Sequence, residues 1–307
     1  MSDEPFRFPH EAMATTFQAM IVGESPSYAE QAAMAAFAEV DIIEKEISRF
    51  IETSDVSQIN HLAAGQWARI GIHTMECLKA AARVSAETNG AFDVTVGPLV
   101  ACWRNPDKSP RQPSEDELAK ARALVGMKLI ELDPAENRVR VKTQGVRLDL
   151  GGIGKGYAVD RAIETLKEWS IESALVSGGD SSTFALGNLK GQQGWPVGVG
   201  GIRDEEKPPY VIDLCNQSLS GSGTHVKGAH IIDPRTGRPV AGRIAAWALH
   251  PNATVADALS TAFMVMTSAE VEQYCKAHPD TGAILVPQNE GPITRQRYGN
   301  WKGLHDA

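Results

Sequence analysis

The stretch from Leu148 to Asp160 restricts most what this chain can become. It reads Leu-Asp-Leu-Gly-Gly-Ile-Gly-Lys-Gly-Tyr-Ala-Val-Asp. Val146, Leu148 and Leu150 alternate with Arg147 and Asp149, as on a half-buried strand. Four glycines then fall between Gly151 and Gly156, and Tyr157, Ile163 and Leu166 continue with helical spacing. Strand, glycine turn and helix together present backbone N–H groups and a helix N-terminus to an anion. Lys155 puts a positive charge inside the turn. The physical reading is a phosphate cradle, set against the plainer reading of a tight strand-to-helix connection.

Two common cradles are excluded. A P-loop needs glycine where Asp149 stands and Ser or Thr where Gly156 stands. The dinucleotide fingerprint needs Gly-x-Gly-x-x-Gly, whereas Gly152, Gly154 and Gly156 are spaced Gly-x-Gly-x-Gly.

The chain is long enough for one large or two modest domains, and its 42% apolar and 22% charged residues are those of an ordinary globular protein. A net charge of −8 without a dense Lys/Arg run argues against nucleic acid as a partner. An acidic protein that binds phosphate needs local compensation from lysine, helix N-termini or a divalent metal. Cys77, Cys102, Cys215 and Cys275 have no zinc-ligand or redox spacing and read as reduced thiols. There is no signal-peptide core, lipobox cysteine or membrane-spanning stretch. The expectation is a cytoplasmic protein with no membrane insertion; a trimmed export signal would leave the same sequence.

The first strand is expected at Ala19 to Val22, led in by Met13 to Phe17. Ser27 and Glu30 have capping-box spacing, and Ala36, Val40, Ile43, Ile47 and Phe50 extend an amphipathic helix over residues 27–50. A second helix covers 74–88 and stops at Asn89-Gly90. Residues 90–99 alternate weakly, 104–113 read as loop, and Ser114 and Glu117 open a short helix to about Leu124. A hairpin is expected from 129–132 to 139–141, a strand at 173–180, and short strands over 183–223. Strands at 244–249 and 283–286 and helices at 256–266 and 269–277 complete the chain. Without regular βαβ alternation the class is α+β, with mixed or antiparallel sheets and flanking helices.

Asp257 and Thr261 lie four apart on a helix, so their oxygens share one face. A carboxylate with a hydroxyl suits Mg²⁺, and a carbonyl from the Gly151-Gly152 turn is a further hard donor. The plain alternative is a helix acid and a threonine bonding its own backbone. Asp93 reads equally as acceptor for a ligand ring N–H or as a turn cap. His230 is a candidate base or phosphate contact. The Ser177-Gly-Gly-Asp180 and Ser218-to-Gly223 segments resemble anion-binding turns, set against the plainer reading of glycine turns between strands. No nucleophile elbow and no Cys/His pattern is present.

The ordered series of motifs says more than any member. Met13-Ala-Thr-Thr-Phe17, Ser48-Arg-Phe50 with Ser54 and Asn60, and Ala91-Phe-Asp-Val-Thr-Val-Gly-Pro-Leu99 come first. Leu148 to Gly156, Ser177 to Asp180, His230-Ile-Ile-Asp-Pro-Arg-Thr-Gly237 and Ala256-Asp-Ala-Leu-Ser-Thr261 follow. Over about Met13 to Val286 this series closely resembles the FAD:protein FMN transferase family, formerly the thiamine-biosynthesis lipoprotein family. The resemblance implies one flavin transferase domain over 1–307 with a tunnelling-fold-like architecture, divisible into two closely packed subdomains with the FAD and Mg²⁺ site between them.

It further implies Mg²⁺-dependent transfer of FMN from FAD to a threonine hydroxyl of an acceptor flavoprotein, with AMP released. Met13, Phe50, Ala91, Phe92, Asp93, Asp149, Lys155, Ser177, His230 and Ile231 would line FAD. The Gly152 carbonyl, Asp257 and Thr261 would hold Mg²⁺, with Ser260 assisting. His230 and Asp257 are the catalytic candidates. The chain departs from the family pattern at Ala14, where glycine is usual, at Phe50, where tyrosine occurs, and between Gly223 and His230, which lacks the usual tyrosine-containing segment. The rival readings are a Mg²⁺-dependent FAD pyrophosphatase and a non-catalytic flavin-binding protein.

Overall fold

The chain reverses at Met13 and Ala14. Both sit in the left-handed region, with φ of 51° and 56°. Two such residues make the I′-like hairpin turn whose twist matches a strand pair. They join β1 (Phe6–Ala12) to β2 (Thr15–Ile21) in antiparallel register, Ala12 opposite Thr15. The structure, a computed structural model, describes residues 4–105, 107, 109–202, 208–224, 231–289 and 292–307.

The remaining elements follow in chain order. They are α1 (Pro26–Ile47), α2 (Asp55–Asn60), β3 (Trp67–Arg69), α3 (Ile72–Glu87), α4 (Gly97–Cys102) and α5 (Glu115–Arg122). Then come β4 (Ile130–Asp133), β5 (Arg138–Val141), α6 (Gly154–Glu168), β6 (Ala174–Gly178), β7 (Ser182–Leu186), β8 (Trp195–Val199) and β9 (Tyr210–Leu214). The last are β10 (Gln217–Gly223), β11 (Arg243–His250), α7 (Ala253–Val265), α8 (Ser268–Ala277), β12 (Gly282–Pro287), β13 (Gln296–Gly299) and β14 (Leu304–Asp306).

The chain divides into two compact units. The first comprises residues 1–44, 153–227 and 241–307. Its frame is an antiparallel sheet of order β1-β2-β6-β7-β10-β11-β12-β13. Successive side chains on a strand face opposite ways, and β10 and β11 use this to separate small from large. Ser220 and Ser222 stand opposite Ala248 and Ala246, while Leu219 stands opposite Leu249. The small set lies on the side where α7 packs, and Ser222 touches Ser260 of that helix. Leu219 and Leu249 join Trp195, Val199, Ile212, Leu214 and Ile284 in a core shared with the small sheet β14-β9-β8. Helices α6 and α7 pack on each other, and both contact β7. The buried Arg243 donates to the carbonyls of Phe263 and Met266, which closes the C-terminal end of α7.

The second unit comprises residues 45–152 and 228–240. It holds the sheet β3-β5-β4 and helices α2 to α5. Val139 and Val141 face its interior, and Leu99, Cys102, Leu118, Ala121 and Ile232 form a second cluster.

The antiparallel sheets with flanking helices bear out the α+β expectation. Several local expectations change. Ser25, not Ser27, caps α1: its Oγ accepts from the Tyr28 N–H at 3.4 Å, because Pro26 takes the first helical position. Residues 146–150 bury alternate side chains but join no named strand. Their hydrogen bonds go to single partners instead. The Asn60 carboxamide holds both the N–H and the carbonyl of Leu148, and Asp149 N–H donates to the Val94 carbonyl. Residues 90–96, too short and too near glycine and proline for a strand, make one bridge, Val96 to Arg147, as their weak alternation leads one to expect. Strands β1, β3, β13 and β14 stand outside the expected set because they are short or charged along an edge.

Candidate active site

In the first unit the site grows from the way α6 begins. Ile153 is the cap residue and supplies no side-chain hydrogen bond. The first-turn N–H of Gly156 is instead taken at 2.9 Å by the Asp257 carboxylate, which comes from α7. Glycine is required there: a Cβ on Gly156 would lie 2.2 Å from the Ala253 carbonyl oxygen and 2.6 Å from the Asp257 Cβ. Only a bare backbone lets the two helices approach this closely. Asp257 as a whole is 2% exposed. Lys155 Nζ stands 3.8 Å from its carboxylate.

Three hydroxyls complete this cluster. Ser260 Oγ donates to the Asp257 carbonyl at 2.8 Å, the i−3 bond that a helical serine makes with its own backbone. Ser222, from β10, lies 2.8 Å from Ser260 Oγ and 3.2 Å from Thr261 Oγ1. The N-terminus of α7 is anchored by Asp160 on α6. Its carboxylate accepts from Ala253 N–H, Thr254 N–H and Thr254 Oγ at 2.6–2.8 Å. Burial pushes the Asp160 carboxyl above the usual range, against those hydrogen bonds, which lower it. The structure therefore brings Lys155, Asp257, Ser260 and Thr261 together as a carboxylate, a cation and hard hydroxyl oxygens. No group of three or more His, Cys, Asp or Glu ligands occurs among the described residues. A carboxylate with hydroxyls fits Mg²⁺, which takes few protein ligands and keeps its waters. Met13 and Ser177 belong to this unit too: Met13 N–H donates to Glu44, and Ser177 stands between Gln18 and Thr183 in the sheet.

In the second unit the expected flavin residues fall into an exposed and a buried set. Phe50 is 75% exposed, and the Arg49 guanidinium lies 4.6 Å over its ring. Arg49 Nη1 also stands 3.4 Å from Asp149 Oδ2, while Asp149 Oδ1 accepts from Gly151 N–H at 3.0 Å. Arg49, Phe50 and Asp149 thus stand together as a cation, an aromatic ring and a carboxylate. Ala91, Phe92 and Ile231 are buried. Asp93 is 7% exposed and caps its own loop: Oδ1 accepts from the N–H and Oγ1 of Thr95, and Oδ2 from Met127 N–H. Gly152 ends this unit's 45–152 segment. His230, the expected base, lies outside the described residues.

Sequence reasoning did not single out Arg49, Asp160 or Ser222. Arg49 stood beside Phe50 inside a quoted motif, and Asp160 closed the opening stretch. Ser222 belonged to a serine-glycine run read as an anion-binding turn, and it is a strand residue.

The sequence model of the ApbE family matches residues 13–285. The chain belongs to the ApbE family. Among its relatives, one from Klebsiella pneumoniae is 25% identical over 92% of this chain and 84% of its own length. One from Haemophilus influenzae is 28% identical over 82% and 75%. Both carry the name FAD:protein FMN transferase. Among solved structures, the ApbE protein of Thermotoga maritima superposes with a TM-score of 0.83 at 30% identity, covering 95% of this chain and 97% of that one. The flavin transferase ApbE of Vibrio cholerae has a TM-score of 0.86 at 23% identity over 97% and 98%, a likeness of fold. No helix among the described residues is long and apolar enough to cross a membrane.

Proposed function

We propose that this chain transfers FMN from FAD to a threonine hydroxyl of an acceptor flavoprotein and releases AMP, with Mg²⁺ as its cofactor. The observation that carries the reading is the Asp257 carboxylate, buried, bonded to Gly156 N–H and paired with Lys155 beside the hydroxyls of Ser260 and Thr261. That set suits a pyrophosphate and a divalent cation. The name carried by the relatives, FAD:protein FMN transferase, supports FAD as donor, FMN as the transferred group and a protein as acceptor.

In this reading the Arg49–Phe50–Asp149 surface, with Met13, Ala91, Phe92, Asp93, Ser177, His230 and Ile231, binds FAD. The aromatic face of Phe50 stacks on a heteroaromatic ring, and Lys155 neutralises phosphate charge. Asp257 and Thr261, with the Gly152 carbonyl and Ser260, hold Mg²⁺. The ion, when bound, supplies charge neutralisation on the phosphate oxygens. The acceptor oxygen forms its bond to the FMN-side phosphorus as the bond to the AMP oxygen breaks. The hydroxyl proton must go to a base, and His230 and Asp257 are the two candidates.

The deciding experiment mixes the protein with FAD, Mg²⁺ and a candidate acceptor, then looks for the added FMN mass and stoichiometric AMP. A flavinylated threonine is expected, and Asp257→Ala should abolish it. AMP and FMN released at the same rate without acceptor would instead mark a pyrophosphatase. Tight FAD binding with no turnover under any condition would mark a flavin-binding protein.

A further inference from the structure

Ser222 has no part in the reaction as set out above, yet it touches two of the proposed cation residues. We propose that Ser222 is a positioning residue that sets the direction of the Thr261 hydroxyl, so that the Thr261 oxygen offers lone pairs to a divalent cation. The inference rests on the assignment of Asp257 and Thr261 to that cation.

The argument is an accounting of hydrogens. Each hydroxyl has one hydrogen to give and two lone pairs. Ser260 Oγ lies 2.8 Å from the carbonyl oxygen of Asp257, which has no hydrogen, so Ser260 is the donor. Its one hydrogen is then spent. Ser222 Oγ lies 2.8 Å from Ser260 Oγ, so Ser222 must donate there. Now the hydrogen of Ser222 is also spent. Its 3.2 Å contact with Thr261 Oγ1 is a hydrogen bond only if Thr261 gives the proton. The chain therefore runs one way, from Thr261 to Ser222 to Ser260 to the Asp257 carbonyl.

This direction matters to a cation, because metal ions are bound through oxygen lone pairs and repelled by a hydroxyl hydrogen aimed at them. A threonine whose proton is held elsewhere meets the ion without first reorienting. The sheet fixes the partner that holds the proton. Ser222 is paired in register with Ala246 and Ser220 with Ala248, so small side chains surround the hydroxyl on the side where α7 packs. Because Ser260 bonds the carbonyl of Asp257, the chain ends on a residue whose carboxylate is itself a proposed ligand.

The test is Mn²⁺ binding to the full chain with FAD present and no acceptor, followed by the electron paramagnetic resonance signal of free Mn²⁺. Asp257→Ala should abolish binding. Ser222→Ala should weaken it about tenfold, as the loss of a group that orients a ligand does. Ser222→Thr should bind as the unchanged protein does, whereas Ser222→Val, of the same shape without the hydroxyl, should be as weak as Ser222→Ala. That pair decides the matter even if the alanine variant fails to fold. On a Thr261→Val background, Ser222→Ala should cost nothing more, since the hydroxyl it orders is gone. Unchanged Mn²⁺ affinity in Ser222→Val, or fully additive losses in the double variant, would overturn the inference. If Asp257→Ala binds Mn²⁺ as well as the unchanged protein, the cation assignment falls and this inference falls with it. Loss in Asp257→Ala alone sinks only the role of Ser222.

Discussion

At the scale of single residues, the two glycine-sensitive positions pull in opposite directions. Ala14 has φ of 56°, a conformation that costs an L-residue roughly 1–2 kcal/mol. Glycine removes that strain but adds about 0.5–1 kcal/mol of unfolded-chain entropy. The balance favours Ala14→Gly by up to about 1.5 kcal/mol, which urea unfolding would resolve; a loss of stability would show that the turn tolerates alanine without strain. Gly156 is the reverse case. The clash of a Cβ with the Ala253 carbonyl is with backbone, which cannot swing aside. Gly156→Ala should destabilise by about 1–3 kcal/mol, as overpacking does, and should remove FMN transfer as α6 and α7 separate. Unimpaired transfer in a stable Gly156→Ala protein would refute the close helix contact. The glycine signal was legible in the sequence, but its cause was not. Spacing suggested N–H groups aimed at a phosphate, whereas one of those N–H groups is bonded to a carboxylate about a hundred residues later.

At the scale of elements, Ser114 and Glu117 were legible as a capping box because every atom involved lies within four residues. Both reciprocal bonds are present on α5, and Arg111 adds an ion pair at 2.9 Å. The backbone N–H of Ser114 and the Arg111 guanidinium hold the Glu117 carboxyl down to about 2. A folded-state value below the unfolded 4.5 means that the folded protein favours the charged form. Its contribution is present above pH 4.5 and is lost as the pH falls toward 2. The stability difference between the unchanged protein and Glu117→Gln should therefore be largest at neutral pH and close up across that window. Melting temperatures taken every half unit would show it; a gap that stays constant down to pH 2 would count against the charged cap. The same locality explains the misreadings. Alternation over 146–150 reported burial correctly, but it could not report that Asn60, rather than a neighbouring strand, takes both backbone groups of Leu148. Edge strands such as β1, Phe-Arg-Phe-Pro-His-Glu-Ala, alternate large and charged residues around a proline, so they lack the uniform apolar signal of a central strand.

At the scale of the whole molecule, the proposed activity separates into binding and turnover, and different residues should answer for each. Phe50 is exposed, with Arg49 over its ring, so removing it empties no core. An aromatic stack is worth about 0.5–1.5 kcal/mol, which is roughly a twofold to tenfold change in affinity. Phe50→Ala should therefore raise KM for FAD by about that factor with kcat nearly unchanged, while Phe50→Tyr, which keeps the ring, should leave both alone. Asp257→Ala should do the opposite: FAD still quenches protein fluorescence on binding, but kcat is lost. A residue whose loss changes KM alone contributes equally to ground state and transition state, whereas one whose loss removes kcat acts where charge is redistributed during transfer. If Phe50→Ala lowered kcat and left KM intact, the exposed ring would have to act on the acceptor or the reacting phosphate, and the Arg49–Phe50–Asp149 surface would not be the place where the flavin is held.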